Sequence, residues 1–242
     1  ASYIIGRRDA SASYVRDGET GEIVYTSTND VYTLAYARNA TYDDGGGLVF
    51  VRAGIYNISG YTLGSRQGVS WKGVGPKAVI LGDGNDYIVM EKDSVISSIN
   101  FTGVYLYCGY CDNIIVTNCI FQDCEYGIYQ IGSHAVISEN YFSNSTWGIY
   151  RVKSDSIVSE NDFSSLSGSA VMIYDVRVKV IGNTILNCND NRINCGSVCV
   201  KFSDAIVSCN TIRGGIYGGI AVRVYSSGYD TSNCIISNNN LS

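Results

Sequence analysis

Short apolar stretches recur at a nearly constant interval along the second half of the chain. Seven copies of the pattern close on a large apolar residue, at successive intervals of 20, 21, 21, 22, 27 and 29 positions: Phe101, Phe121, Phe142, Phe163, Ile185, Ile212 and Leu241. Five positions earlier, each copy has a β-branched residue: Ile96, Val116, Ile137, Val158, Val180, Val207 and Ile236. Apolar and polar residues alternate between these positions, which is typical of β-strands and not of helices.

A repeat of this length with Gly and Asn near its corners predicts a parallel β-solenoid in which each copy is one coil. Two positions before the closing residue, the last five copies all carry asparagine: Asn140, Asn161, Asn183, Asn210 and Asn239. Equivalent positions stack at the strand spacing of about 4.8 Å. The side-chain amides can therefore hydrogen-bond from coil to coil, and we predict a structural asparagine ladder rather than a ligand site.

A second strand in each coil begins with a small residue, as in the two GIY phrases at 127–129 and 148–150. These phrases resemble the parallel β-helix repeat family of carbohydrate-binding and sugar-hydrolysing proteins, over residues 94–242. The stretches GGGLVFVRAGIYNI at 45–58 and GVSWKGVG at 68–75 look like the opening coils of the pectin-lyase-like superfamily. The resemblance implies an all-β fold, a single-chain right-handed parallel β-helix (solenoid) with an N-terminal capping helix.

The chain divides into three regions on this basis. Residues 46–242 are assigned to the parallel β-helix. Asn29 can N-cap a helix whose Val31, Leu34 and Ala35 share one face, so residues 29–45 are predicted to be a helical cap over the first coil. Residues 1–28 are strand-forming and lie outside the repeat, and we interpret them as a strand-like arm or an extension of the cap.

Composition excludes two classes of function. The net charge is −5 and the basic residues are scattered, so the chain has no basic stripe for nucleic acid. No apolar run approaches the roughly 18 residues of a membrane span. Nine cysteines, a first residue other than Met and several sequons predict an extracellular, cell-surface or virion location. The candidate glycosylation sites are Asn39, Asn57, Asn100, Asn144 and Asn240.

The cysteines suggest disulfides more strongly than a metal site. Cys188 and Cys195 flank an insertion between two copies of the repeat, which makes them the candidate disulfide pair. Cys108 and Cys111, with the next two cysteines, could ligate zinc instead, but no histidine is close in sequence. We therefore expect no metal and no cofactor, with calcium considered only if the protein is a lyase.

Candidate catalytic residues are weak. Pectate-lyase-like and polygalacturonase-like enzymes need clustered Asp, an Arg base or a Gly-His-Gly phrase, and most of these are missing. One turn column contains His134, Asp155, Arg177 and Asp204, and its two Asp are expected about 9.6 Å apart, near the spacing of inverting glycosidases. Arg177 between them would hold both carboxylates ionised, which is wrong for a general acid.

A second column places Glu139 and Glu160 about 4.8 Å apart, close to the spacing of retaining glycosidases. Their sequence neighbours are polar turn residues that would not bury them. We interpret both columns as solvated turns, and we expect all these carboxylates to be dispensable for function.

Aromatic residues give the remaining surface signal. Tyr126 is expected under Trp147, and Tyr129 under Tyr150, in successive coils. If they face outward, they form a glycan-binding platform or a protein contact; if they face inward, they belong to the core. The sequence leaves the two orientations open.

Two classes of function remain. The sequence favours an extracellular structural or adhesive module, such as a virion fibre, a surface appendage or a filament subunit, with surface glycans as candidate ligands. The alternative is a polysaccharide lyase or glycoside hydrolase on the same scaffold. Because the last inward position, Leu241, is followed by a single residue, we expect an open final coil that pairs head-to-tail with another copy, through the arm 1–28 of that copy.

Overall fold

The structure is a computed structural model that describes residues 2–109, 111–130, 134–174, 177–188, 196–201, 204–215, 219–223 and 234–242. These residues form a parallel β-helix with one α-helix at its N-terminal end. The predicted all-β fold class with a capping helix is therefore confirmed. Each coil contributes strands to three faces, which we number in the order in which the chain passes through them.

Face 1 is a sheet in which coil after coil adds a parallel strand. Its described strands are β1 Ser2–Arg7, β2 Ser13–Asp17, β3 Ile23–Ser27, β4 Gly47–Val51, β7 Val69–Gly73, β9 Val95–Ser97, β11 Ile115–Thr117, β14 Val136–Ser138, β17 Ile157–Ser159, β20 Val178–Ile181, β23 Ala205–Ser208 and β26 Ile235–Ser237. Among these described strands, the antiparallel pairings are those of β1 with β2 and of β2 with β3, at the N-terminal edge.

Faces 2 and 3 are joined by two long strands, β8 Ala78–Val89 and β10 Asn100–Cys108, which bend from one face to the other. The other face 2 strands are β5 Gly54–Asn57, β12 Ile120–Gln122, β15 Tyr141–Ser143, β18 Asp162–Ser164, β21 Thr184–Leu186, β24 Thr211–Arg213 and β27 Asn240–Leu241. The other face 3 strands are β6 Thr62–Gly64, β13 Tyr126–Gln130, β16 Trp147–Val152, β19 Val171–Ile173, β22 Val198–Lys201 and β25 Ile220–Arg223.

The strand register of the structure follows the repeat found in the sequence. All seven closing residues are successive partners on face 2, from Phe101 paired with Phe121 to Ile212 paired with Leu241. The first four are phenylalanines whose rings stack with centroids 4.7–5.1 Å apart. Each ring is at most 1% exposed. Burial of one such side chain contributes about 1.5–3 kcal/mol to folding, which makes this stack the centre of the core.

The five predicted asparagines form a continuous hydrogen-bond ladder at the corner between faces 1 and 2. Asn140, Asn161, Asn183 and Asn210 are each at most 2% exposed. In each, the side-chain oxygen accepts from the preceding coil and the side-chain amide donates to the next rung and to backbone carbonyls. The ladder satisfies backbone groups that the sheets leave unpaired at this corner, which gives it a structural role.

The predicted cap is the helix α1, Asp30–Asp43. The Asn29 side chain accepts a hydrogen bond from the backbone N–H of Val31, as an N-cap should. Val31 and Leu34 are buried as expected, whereas Ala35 is only half-buried and Ala37 takes the inward position. The apolar face therefore points slightly to one side of the predicted one.

Residues 2–27 extend the cap instead of leaving the body as a free arm. Strand β1 pairs in parallel with β4, and β2 and β3 add to it as antiparallel strands. Ile5 and Val15 are fully buried, and Arg7 forms a 2.7 Å ion pair with the buried Asp30 of α1. Of the two interpretations of this segment, the structure has the cap extension, because its apolar side chains complete the core of its own chain. Head-to-tail assembly through this segment stays a prediction.

Candidate functional site

A row of aromatic side chains runs along the outside of face 3 through five successive coils. We call it the aromatic surface, and its members are Tyr87, Tyr105, Tyr107, Tyr126, Tyr129, Trp147, Tyr150 and Tyr174. All eight are half-buried, whereas Leu106, Ile128 and Ile149 on the same strands are fully buried in the core. Because neighbouring strand residues point to opposite sides, Tyr107, Tyr129 and Tyr150 point outward. Of the two orientations left open by the sequence, the structure has the outward one.

The rings contact one another along the row. Tyr107, Tyr129 and Tyr150 are partners on adjacent strands. Their ring centroids lie 5.5 Å and 5.3 Å apart, with interplanar angles of 19° and 36°. Tyr126 and Trp147 are strand partners as predicted, but each of their rings contacts Tyr150, at 5.2 Å and 5.1 Å. The result is a continuous aromatic surface and not two separate stacks.

Glycine at the start of the face 3 strand lets the aromatic surface lie directly over the phenylalanine stack. A Cβ placed on Gly148 would lie 2.7 Å from the ring of Phe163 and 2.4 Å from the carbonyl oxygen of Ala170. Neither can move, since one is core and the other is backbone. The small residue in each GIY phrase is therefore required by the corner, and it fixes the position of Trp147 beside it.

Arg151 lies in the fourth of the five coils, toward the C-terminal end of this surface. The pairing of β16 with β19 shifts register between Ile149 and Val152, and Arg151 has φ +59°. Such a bulge redirects side chains, and a non-glycine residue in this conformation is held there at an energetic cost. The Arg151 guanidinium carbon lies 5.5–5.6 Å from the ring centroids of Tyr129, Tyr150 and Tyr174, within the range of cation–π attraction.

A second cation lies two coils beyond Arg151, next to Tyr174. Lys201 Nζ is 4.9 Å from the ring centroid of Tyr174 and donates a 3.1 Å hydrogen bond to its hydroxyl. In the middle coil of the surface, the exposed Glu125 is hydrogen-bonded to the Tyr126 hydroxyl. The aromatic surface is therefore polarised, with a carboxylate in its middle coil and two cations toward its C-terminal end.

Hydroxyl groups of the surface stay protonated. Burial, followed by the charge and hydrogen bond of Glu125, raises the pKa of Tyr126. Burial and the hydrogen bond with Tyr174 raise the pKa of Tyr150, and burial raises that of Tyr105. At neutral pH these phenols are neutral groups that can both donate and accept hydrogen bonds.

An outer apolar cluster lies beneath the far end of the aromatic surface. Met172 and Cys199, at 1% and 0% exposure, form a cluster separate from the main core and pack against Trp147, Tyr150 and Tyr174. Packing from below holds the three rings in place. The sequence predicts a surface role for four of these residues: Tyr126, Trp147, Tyr129 and Tyr150. It does not predict that Arg151, Tyr174 and Lys201 join them. Their positions depend on the bulge in β16 and on later coils of unequal length.

The first column of candidate catalytic residues is a surface ion-pair cluster. Arg177 makes two hydrogen bonds to the Asp155 carboxylate, at 2.5 Å and 2.7 Å, and His134 Nε2 lies 3.8 Å from the same group. Hydrogen bonding to Arg177 holds the pKa of Asp155 below its ordinary value. Asp155, Arg177 and Asp204 line a groove of about 400 Å³ on face 1, on a different side of the molecule from the aromatic surface. An ionised Asp155 cannot donate a proton as a general acid.

Glu139 and Glu160 project from the corner between faces 1 and 2. Both are exposed and have φ near +57° and +55°, as the single turn residue that precedes each ladder asparagine. They line a shallow open groove with Tyr141 and Asp162. Neither carboxylate is near the aromatic surface, so the structure does not bring the two predicted kinds of site together.

The structure describes some of the cysteines for which the sequence predicts disulfides or a metal site. Cys108, Cys111, Cys119 and Cys124 are buried thiols, and Cys108 and Cys111 are hydrogen-bonded to each other. Cys188 is a buried thiol whose Sγ donates a hydrogen bond to the carbonyl of Leu186, so the predicted Cys188–Cys195 disulfide is not supported; Cys195 itself lies outside the described residues. Across the described ranges, no group of three or more His, Cys, Asp or Glu side chains is arranged to hold a metal ion.

The five sequons differ in accessibility. Asn57, Asn144 and Asn240 are exposed, whereas Asn39 on α1 and Asn100 on β10 are half-buried. No helix in the described part of the chain has the length and apolar character needed to cross a membrane.

Solved structures with this fold come from several kinds of protein. ORF18 of Geobacillus virus E2 is 13% identical with a TM-score of 0.59, over 97% of this chain and 67% of the other. The pneumococcal surface adhesin PfbA of Streptococcus pneumoniae is 12% identical with a TM-score of 0.54, over 88% and 77%. The catalytic unit of a GH87 α-1,3-glucanase from Streptomyces thermodiastaticus is 13% identical with a TM-score of 0.54, over 88% and 66%. At these identities the likeness shows the fold alone.

Sequence comparison gives the family. No curated protein matches the chain. Residues 67–195, more than half of the chain, match the family model described as a right handed beta helix region. Together with the coil-by-coil register of faces 1, 2 and 3, this match shows that the chain belongs to the right-handed β-helix family.

Proposed function

We propose that this chain is a glycan-binding module of an extracellular or surface-exposed structural protein, and that it binds its ligand on the aromatic surface of face 3. The observation that carries the proposal is the outward row of eight aromatic side chains in ring contact over five coils. A contiguous exposed aromatic patch on a soluble protein marks a binding surface more often than chance.

The chemistry of the surface suits a sugar chain. Tyrosine and tryptophan offer a flat apolar face together with a polar edge, and a pyranose likewise has an apolar C–H face and a rim of hydroxyls. The neutral phenols of Tyr126 and Tyr150 can hydrogen-bond to such hydroxyls. Successive coils repeat the arrangement every ~4.8 Å, which is comparable to the length of one sugar unit and favours an extended oligosaccharide.

Two further observations support a surface location. Sequons at Asn57, Asn144 and Asn240 are exposed, as glycosylation of a secreted protein requires. A viral protein and a bacterial surface adhesin are among the proteins with the same fold. These observations concern where the protein is located and not which glycan it binds.

The proposal is tested by binding to a panel of immobilised oligosaccharides. Tyr129→Ala and Tyr150→Ala should each weaken binding at least tenfold, because each removes a central ring. Tyr141→Ala is the matched control, since Tyr141 is 42% exposed in the same coil but on face 2, and it should bind as the wild type does. Absence of binding across the panel, or equal binding by all three variants, would overturn the proposal.

A further inference from the structure

We infer that the end of the aromatic surface formed by Arg151, Lys201 and Tyr174 recognises a negatively charged substituent, a carboxylate or a sulfate, on the bound glycan. The inference rests on the proposed function, because it names the class of ligand for the same surface. It makes the ligand an acidic oligosaccharide rather than a neutral one.

The first step is the lack of a carboxylate partner for either cation. Ion pairs within the described residues join Arg7 to Asp30, and join His134 and Arg177 to Asp155. Arg151 and Lys201 take part in none of them. What distinguishes these two cations is that both lie against the same ring, that of Tyr174, on one continuous aromatic surface.

The Arg151 guanidinium is not fully hydrogen-bonded by the described part of the protein. Its Nε is buried and has no hydrogen-bond partner among the described residues. Leaving a buried donor without a partner is energetically unfavourable, and a bulge with φ +59° holds the side chain there. The protein therefore leaves the guanidinium incompletely hydrogen-bonded, and for the N–H groups that a ligand can reach an anionic oxygen is the strongest acceptor.

The third step is the environment of the two charges. Arg151 and Lys201 both lie against the ring of Tyr174, at 5.5 Å and 4.9 Å from its centroid. The rings replace part of the water around both cations, and attraction to an anion is stronger where water is excluded. The Tyr174 hydroxyl accepts from Lys201 and is hydrogen-bonded to Tyr150, so the ring and the cation are held in place together.

The polarity of the surface predicts how the glycan lies. Glu125 belongs to the coil of β13, whereas Lys201 ends β22, three coils further on. Three coil spacings correspond to about 14 Å, so Glu125 and Lys201 face different sugar units. An anionic group near Glu125 would be repelled, and the acidic substituent therefore lies on the Lys201 side of Arg151, with neutral sugar over Tyr105 and Tyr126.

The test compares three oligosaccharides of equal length: a neutral one, its uronic acid counterpart and its sulfated counterpart. Isothermal titration calorimetry at 20 and 300 mM NaCl measures their affinities for the full chain. We expect at least one acidic ligand to bind tenfold or more tightly than the neutral one at low salt, with a smaller ratio at high salt. The two acidic ligands separate a carboxylate from a sulfate specificity.

Single-residue variants then test whether the preference for acidic ligands depends on Arg151 and Lys201. Lys201→Gln and Arg151→Gln should each reduce the acidic-to-neutral affinity ratio at least threefold, and Arg151→Lys should retain more of it than Arg151→Gln does. Lys72→Gln, which removes an exposed cation on face 1, should leave the ratio unchanged. Thermal melts verify folding, and Lys201→Gln tests the inference alone if Arg151 variants do not fold.

Each outcome decides a different claim. Equal affinity for neutral and acidic ligands, or a ratio that Lys201→Gln leaves intact, overturns the inference while the glycan-binding proposal stands. Absence of binding for all three ligands in the wild type, together with a negative glycan panel, overturns both.

Discussion

Asn161 accepts two hydrogen bonds from Asn140, one from its backbone N–H and one from its side-chain amide, both at 3.0 Å. The two residues are 21 positions apart in sequence and occupy the same place in adjacent coils. Asn161 in turn donates to Asn183 in the next coil. Each asparagine therefore fixes the register of the coils on both sides, which explains why the same residue recurs at this corner.

Replacing Asn161 with Ala should destabilise the fold without touching the aromatic surface. The change removes side-chain bonds to Ile137 and Asn183 and leaves buried N–H and C=O groups without partners. We expect the free energy of unfolding to fall by about 1–3 kcal/mol, measured by urea denaturation. Asn85→Ala, at an exposed asparagine, should be neutral. An unchanged midpoint for Asn161→Ala would mean that the ladder contributes no stability.

The phenylalanine stack should be equally sensitive to loss of volume. Phe142 is fully buried between Phe121 and Phe163, so Phe142→Ala should cost about 3–5 kcal/mol. Phe142→Leu keeps most of the volume and should cost clearly less. Thermal unfolding followed by circular dichroism compares them, and equal losses for the two variants would contradict a close-packed stack.

The sequence predicted those two columns because every coil repeats the same local environment. Aligning the copies of the repeat places each Asn or Phe above the equivalent residue of the preceding coil. The strand register of the structure follows this alignment from Phe101 to Leu241. The capping helix was predicted for a similar local reason, since Asn29 and the apolar positions after it lie close together in sequence.

The candidate site was less predictable because it depends on departures from the repeat. Regular alternation would place Arg151 on the inside of face 3, and only the bulge turns it toward the tyrosine rings. Tyr174 and Lys201 join the site from later coils in which the intervals between copies lengthen. Sequence periodicity has no information about where a bulge or a long loop will bring such residues.

Asp155 should contribute little to stability, and only above acidic pH. Hydrogen bonds from Arg177 lower its pKa in the folded state, so the contribution is present above the unfolded value of about 3.9 and is lost as pH falls through the lower folded value. Melting temperatures of wild type and Asp155→Asn should therefore differ slightly at pH 7 and converge near pH 2. Salt should shrink the pH 7 difference because the pair is exposed. A difference that grows on acidification would contradict this sign.

The carboxylates singled out from the sequence should be dispensable for function. All four carboxylates lie away from face 3. We therefore expect each amide variant to bind the glycan as the wild type does: Glu139→Gln, Glu160→Gln, Asp155→Asn and Asp204→Asn. Reducing-end and unsaturated-product assays on acidic polysaccharides, with and without calcium, should detect no cleavage. Cleavage that one of these amide variants abolishes would establish the enzyme alternative and identify its acid or base.

Thiol reactivity should follow burial along the coils. Burial raises the pKa of Cys119 to about 12, so almost none of it is thiolate at pH 7.5. Cys209 is exposed at the corner between faces 1 and 2 and should react with iodoacetamide in the native protein. Mass spectrometry of labelled peptides should find Cys209 modified first and Cys119 only after unfolding. Early labelling of Cys119 would show that the core opens at this coil.

Tryptophan fluorescence tests the central claim, that face 3 is the ligand-binding surface. The chain has two tryptophans: Trp71 is 2% exposed in the core, and Trp147 is half-buried on the aromatic surface. Titration with the oligosaccharide that binds best in the panel should change the emission and protect it from acrylamide, with the same Kd as calorimetry gives. Both effects should be absent in Trp147→Phe. Calorimetric binding without any change in Trp147 emission would contradict the account and place the ligand on another face.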